Sequence, residues 1–155
     1  MITPVITTAR LQLVPFTTAH IHERYVGWLN DPDVVRYSEN RHSHHTIESC
    51  QQYAADMEAS GHLFWAIERR ADQPVHIGNI TAYLDRPNNV ADVAIMIGET
   101  NDRARGLGTE AWCAVVAHLL DTSGIRRVQA GTMAPNAAMR GLFRKSGMAE
   151  EGQQR

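Results

Sequence analysis

Near residue 62 the hydrophobic period of the chain changes from helical to two, and that switch narrows the class of fold open to it. Upstream, apolar residues recur at helical spacing: Ile21, Tyr25, Trp28 and Leu29 in one stretch, then Ile47, Cys50, Tyr53, Ala54 and Met57 in another. Thr46 can cap the second of these and Gly61 can stop it. Downstream, three runs alternate with period two, over 62–70, 75–84 and 90–98. The turns between them, Ala71-Asp-Gln-Pro74 and Asp85-Arg-Pro-Asn-Asn89, are rich in breakers, so three consecutive antiparallel strands are expected.

The remaining elements follow from the same rules. A strand over 8–16 sets Leu11, Leu13 and Pro15 against Arg10, Gln12 and Val14. Thr17-Thr18 then offers a cap for the first helix, which Asn30-Asp31-Pro32 stops because the residue before proline avoids the α region. A short helix over 32–37 and a polar loop over 38–45 come next. After the three strands a helix begins at Thr109, with Ala111, Trp112, Val115, Val116, Leu119 and Leu120 on one face, and stops at Gly124. A strand at 126–132 and a last helix over 136–146, ending at Gly147, complete the reading. No repeat or linker interrupts it, so residues 1–155 are read as one mixed α/β domain.

Charge and cysteine content narrow the function classes. Fifteen Lys and Arg against seventeen Asp and Glu give a formal charge of -2, which provides no field to gather nucleic acid or an anionic membrane. Cys50 and Cys113 lack C-x-x-C spacing and are too few for a disulfide framework, which points to a reducing compartment. No run approaches the ~18 apolar residues that a bilayer span requires, and a cytoplasmic protein is expected. His42, His44 and His45 crowd one loop, but lack the i, i+4 spacing of a helical metal pair and a partner Cys or carboxylate at known spacing, so no metal is expected.

The segment Arg103-Ala-Arg105-Gly106-Leu107-Gly108-Thr109-Glu110 carries the strongest chemical signal. It joins the third strand of the meander to an amphipathic helix, where unpaired N–H groups and the helix dipole favour an anion and glycines admit it close to the main chain. Arg103 and Arg105 would add charge-assisted contacts, and Thr109 can cap the helix or touch the anion. A P-loop would need Gly-Lys-Ser/Thr here, and there is no lysine. Gly106-Leu-Gly108-Thr-Glu-Ala111 also matches the dinucleotide fingerprint, but it follows an antiparallel meander, and the strand after it ends without an acidic residue for a ribose.

The same loop resembles the R/Q-x-x-G-x-G/A motif of the GCN5-related N-acetyltransferases, with Arg103, Gly106 and Gly108 at its positions. A second similarity lies in Asn136-Ala-Ala-Met-Arg-Gly-Leu-Phe143-Arg-Lys145-Ser-Gly147-Met148, which looks like that family's Asn-containing helix ending in Lys-x-Gly-Phe. TARLQLVPF and WLNDPDVVRY are similar to the opening of the RimJ/RimL-type branch. Phe143 departs from the tyrosine often found there, and so has no proton for a leaving thiolate; Met148 stands in place of the usual Phe. The family's further C-terminal strand is expected to be short or absent.

The resemblance implies a mostly antiparallel sheet flanked by helices, with the 91–98 and 126–132 strands splayed near Gly98. It implies acetyl-CoA as co-substrate, its pyrophosphate on residues 103–109 and its pantetheine between the splayed strands. Main-chain N–H groups of Met96 and Ile97 would pair with it or polarise its carbonyl, and Asn136 and Phe143 would flank it; Asn136 also reads as an ordinary helix N-cap, and the two roles can coexist. A protonated amine needs a route for its proton. Asp92 is the first candidate, since Asp is depleted in strand interiors unless something holds it, although a solvated place beside the Asn88-Asn89 turn fits as well. Glu39 is the second. Tyr37, Trp65 and Tyr83 are candidate walls of an acceptor pocket, or core. Neither cysteine has a neighbouring His to activate it, which argues against an acetyl-cysteine intermediate.

These features lead to an N-acetyltransferase that acts by direct transfer in a ternary complex. The acceptor would be a small-molecule amine or a protein N-terminus, and a homodimer is compatible with an exposed sheet edge. Two other classes stay open: a non-catalytic acyl-CoA-binding module, suggested by Phe143, and a dinucleotide-binding oxidoreductase.

Overall fold

The meander and the helices around it assemble into one six-stranded sheet in the computed structural model, which describes residues 2–154. The strands are β1 (Ile6–Thr7), β2 (Leu11–Pro15), β3 (Leu63–Arg69), β4 (Val75–Asp85), β5 (Val90–Ile97) and β6 (Arg127–Gln129), adjacent in sequence order. All neighbours are antiparallel except β5 and β6, which run parallel. The α-helices are α1 (Glu23–Asn30), α2 (Ile47–Ala59), α3 (Leu107–Asp121) and α4 (Ala137–Lys145).

Strand alternation divides the apolar side chains between two faces. Leu63, Trp65 and Ile67 of β3, Ile77, Ile80 and Ala82 of β4 and Ala91 and Val93 of β5 meet Leu107, Ala111, Trp112, Val115 and Leu119 of α3 in the main core. Met139, Leu142 and Phe143 bring α4 against the same core. A second, smaller core packs Tyr25, Trp28 and Leu29 of α1 with Cys50 of α2 and the strand residue Met96. The sheet therefore separates an α3–α4 side from an α1–α2 side.

Several local expectations are corrected. Residues 32–37 form turns, because Asp31 keeps the chain for itself: its Oδ1 accepts from the Asp33 N–H at 2.9 Å and its carbonyl from Val34 and Val35 at 3.1 Å. A 3₁₀ turn over Glu39–His42 occupies part of the expected polar loop. Thr17 begins only a 3₁₀ turn, and α1 starts after His22, whose Nδ1 accepts from the Tyr25 N–H. The third helix opens at Leu107, two residues before Thr109.

Two further corrections bear on the site. The 126–132 strand shrinks to Arg127–Gln129, and its pairing with β5 ends at Asp92↔Gln129. The two strands thus part well before Gly98. The loop at 103–109 also does open a βαβ unit, formed by β5, α3 and β6, so the contrast with a dinucleotide fold rests instead on β6 ending at Gln129 without an acidic residue. No strand follows α4 among the described residues.

Candidate active site

The loop before α3 is shaped to present its main-chain donors. Ala104 and Gly106 both have positive φ, 61° and 78°, and Gly106 serves as the helix N-cap with no side-chain cap. Positive φ at these two positions lets the chain turn tightly into the helix, whose first N–H groups then stand open to an anion. The main-chain N–H groups of residues 104–109 have no hydrogen-bond partner among the described residues. They stand at the positive end of a 15-residue helix. A Cβ at Gly108 would make ordinary contact with the Ile97, Leu142 and Ile95 side chains at 3.7–4.0 Å, which brings the head of α3 against the end of β5.

Two ion pairs from the β2 and β3 ends hold the loop in this shape. On one flank, the almost fully buried Asp102 accepts from Arg69. On the other, Glu110 accepts from Thr8 Oγ1, from the Arg10 main-chain N–H at 2.9 Å and from Arg10 Nε at 2.8 Å. Burial pushes the Glu110 carboxyl upward, but the hydrogen bonds from Thr8 and Arg10 outweigh it and leave the group below its ordinary range. Arg10 Nη1 donates to the Arg105 carbonyl at 3.0 Å, and across a trans peptide the Gly106 N–H then points the opposite way. Arg10, Arg69, Arg70 and Arg105 line an open hollow of about 320 Å³ beside the loop.

Arg103 is used differently from the expectation. Its Nε donates to the Ile97 carbonyl and its Nη2 to the Gly98 carbonyl, both at 3.2 Å, so it supplies donors to the last carbonyls of β5, beyond the point where β6 has ended. Arg105 is exposed, and the Thr109 hydroxyl forms no hydrogen bond to a described residue.

Register decides which strand amides face the cleft between β5 and β6. The Gly98 N–H donates to the Ile77 carbonyl of β4 at 2.8 Å, and bonding alternates along an antiparallel pair. Met96 therefore points its N–H at β4, while Ile95 and Ile97 turn theirs toward the unpaired side. Of the two amides expected at the cleft, the Ile97 N–H faces it and the Met96 N–H does not, while the Ile95 N–H, which the sequence does not single out, faces it as well. On the far side of the cleft, Asn136 caps α4: its Oδ1 accepts from the Met139 N–H at 3.1 Å and its Nδ2 donates to Thr132 Oγ1 at 3.0 Å. Phe143 packs on Trp112, with ring centroids 5.5 Å apart.

On the α1–α2 side, the structure brings some of the expected residues together and scatters others. Asp92 is exposed and lies directly opposite Tyr83 in register. The Tyr83 hydroxyl bonds to that of Tyr53 from α2. Burial, and then that bond, raises the Tyr53 hydroxyl above its ordinary range, so it stays protonated. Trp65 is fully buried in the α3-side core with Nε1 bonded to the Pro4 carbonyl, so it lines no pocket on this side. Glu39 has a side chain 91% exposed and sits 3.7 Å from His42, far from enclosure; Tyr37 is half-buried in the turns after α1. Cys50 is buried, which pushes its thiol up and leaves it a poor nucleophile.

A histidine chain that sequence spacing could not reveal anchors this side. Because His22 Nδ1 accepts from the Tyr25 N–H, the His22 proton is on Nε2 and is donated to His76 Nδ1 at 3.0 Å. His76 then donates from Nε2 to the Gly78 carbonyl at 2.8 Å. Burial, reinforced by His20 and His22, lowers His76 to about 3, so the chain is uncharged at neutral pH. Trp28 lies against Gly98, where a Cβ would come within 2.0 Å of the ring, and donates to Glu99 Oε1 at 3.1 Å.

Residues 10–149 match the family described as the acetyltransferase (GNAT) domain. The Homo sapiens protein named alpha/beta-tubulin-N-acetyltransferase 9 is 23% identical over 146 residues, which span 88% of this chain and 70% of that protein. Among solved structures, a GNAT-family acetyltransferase from Bacillus anthracis superposes with a TM-score of 0.82 at 18% identity, over 96% of this chain and 86% of that one. RimL, a ribosomal L7/L12 alpha-N-protein acetyltransferase solved with coenzyme A, gives 0.83 at 15% identity over 96% and 86%. No helix among the described residues is long and apolar enough to cross a membrane, and they contain no cluster of metal-ligating side chains.

Proposed function

Since the chain belongs to the GNAT acetyltransferase family and is an N-acetyltransferase, we propose that it moves the acetyl group of acetyl-CoA to a primary amine by direct attack in a ternary complex. One observation carries this reading: the unpartnered N–H groups of residues 104–109 at the head of α3 adjoin the free β5 edge at Ile95 and Ile97. The first set suits a diphosphate. The second suits an extended amide chain, which pairs with a strand edge as another strand would. Acetyl-CoA, when bound, supplies an activated acetyl group.

The chain's own residues then divide the work. Gly106, Leu107, Gly108 and Thr109 offer main-chain donors, and Arg105 and Arg70 add positive charge without an acidic partner among the described residues. The Ile95 or Ile97 N–H would stabilise negative charge on a carbonyl oxygen in the cleft. Asn136, the N-cap of α4, and Phe143, on its core-facing side, would flank the cofactor from α4. Asp92, next to Tyr83 on the other face, takes the amine proton through water.

The acceptor is read as a protein N-terminus or a small-molecule amine, and the relatives named for protein acetylation support the first. A cytoplasmic setting accords with two free thiols, Cys50 and Cys113. The test is thiol release from acetyl-CoA with a panel of free-amino peptides and small primary amines, for the wild type and Asp92→Ala. Release with at least one amine is expected, and Asp92→Ala should lose about a hundredfold in kcat/KM. Tight CoA binding with no release on any amine would favour a binding module. A thermal shift larger with NAD(H) than with CoA would sink the reading.

A further inference from the structure

Among the described residues, two buried side-chain polar atoms have no hydrogen-bond partner: Trp112 Nε1, in the α3 core, and Asn79 Oδ1. Asn79 lies on β4 between Ala66 of β3 and Met96 of β5. Residues paired directly across strands share a face, and Met96 packs into the α1–α2 core, so the carboxamide belongs to the α1–α2 side, the face that also carries Asp92 and Tyr83. The residue as a whole is half-buried, and its Oδ1 accepts no hydrogen bond among the described residues. An apolar side chain of the same shape would avoid the cost of an unpaired buried carbonyl. A group kept here at that cost is explained by a partner that arrives from outside.

The position says what that partner is. Across β5 from Asn79 are the Ile95 and Ile97 N–H groups that face the cleft, and further along the same face lie Thr81, opposite Ala94, and Tyr83, opposite Asp92. We infer that Asn79 holds the acceptor amine: its carboxamide oxygen accepts a hydrogen bond from the amine N–H and turns the nitrogen lone pair toward the acyl carbon. This rests on the transfer reading above. As the N–C bond forms and the C–S bond breaks, positive charge grows on nitrogen. One amine proton then passes through water toward Asp92, and the departing sulfur takes a proton from water. A neutral carboxamide suits the task, because it stabilises that charge in the transition state, whereas a carboxylate would also hold the ground-state ammonium and raise its pKa.

The experiment compares wild type, Asn79→Leu and Asn79→Asp by melting temperature, acetyl-CoA calorimetry and thiol release with the best amine of the panel. Asn79→Leu should melt at or above the wild-type temperature, bind acetyl-CoA equally and lose about tenfold or more in kcat/KM for the amine. Asn79→Asp should lower KM for the amine and move the rise of kcat to higher pH. A Leu variant with wild-type kcat/KM, or an Asp variant with an unmoved pH profile, would overturn the inference alone. If the Leu variant does not fold, the Asp profile decides. A wild-type chain that fails to bind acetyl-CoA, or that acetylates no amine, overturns the transfer reading and this inference with it.

Discussion

Arg10 and Glu110 are one hundred residues apart in sequence, yet Arg10 Nε lies 2.8 Å from Glu110 Oε1. The same arginine fixes the Arg105 carbonyl, so the pair ties the start of the chain to the shape of the anion loop. An exposed ion pair alone adds only ~0–1 kcal/mol to stability. Arg10→Gln should therefore lower the melting temperature little while weakening CoA severalfold, as measured by calorimetry on the folded variant. Equal affinity would show that the loop holds its shape without the strut.

Gly98 is expected to tolerate nothing larger. Gly98→Ala would drive a methyl into the Trp28 ring, so α1 or β5 must shift. Overpacking of this kind costs ~1–3 kcal/mol, to be read from urea denaturation, and Trp28 fluorescence should change with it.

Acid should weaken the fold through its buried histidines. His76 is lowered to about 3, and His20 and His22 are lowered as well, by burial first in each case. An unfolded chain binds protons at these sites near the ordinary value of 6.5, so the native state binds fewer between pH 6.5 and 3. The stabilisation is whole above 6.5 and is lost as pH falls through that window. His76→Gln should flatten this part of the melting-temperature profile; an unchanged slope would assign the acid sensitivity to other groups.

Amide spectroscopy can test the strand parity directly. On addition of CoA, the Ile95, Ile97 and 106–109 N–H resonances should move, while the Met96 N–H, committed to β4, should stay protected from exchange. Movement at Met96 with none at Ile95 would mean that the register assigned to the cleft is wrong.

Much of this architecture was legible because the relevant signals are local. Period-two runs bounded by Pro and Asn turns locate β3, β4 and β5, and the glycines at 106 and 108 mark the entrance to α3. What stayed hidden depends on contacts between distant segments. A single step of register separates Met96 from Ile95, and only the Gly98 bond to Ile77 selects between them. The same rule sends Trp65 to the core and Phe64 to the other face. His42, His44 and His45 drew notice by crowding, whereas the histidines that interlock come from residues 20, 22 and 76. Asn79 carries no mark in the sequence at all. Its meaning depends on what fails to touch it.

Trp28 also links two events that chemistry would otherwise keep apart. It caps the tip of β5 and bonds the first residue of the segment leading to the anion loop, while its helix roofs the opposite face of the sheet. A ligand that steadies the loop must then also steady the roof. By thermodynamic reciprocity, whatever factor the first ligand lends to the second is returned in equal measure, so acceptor and donor affinities measured separately should each differ from those in the ternary complex by one common ratio.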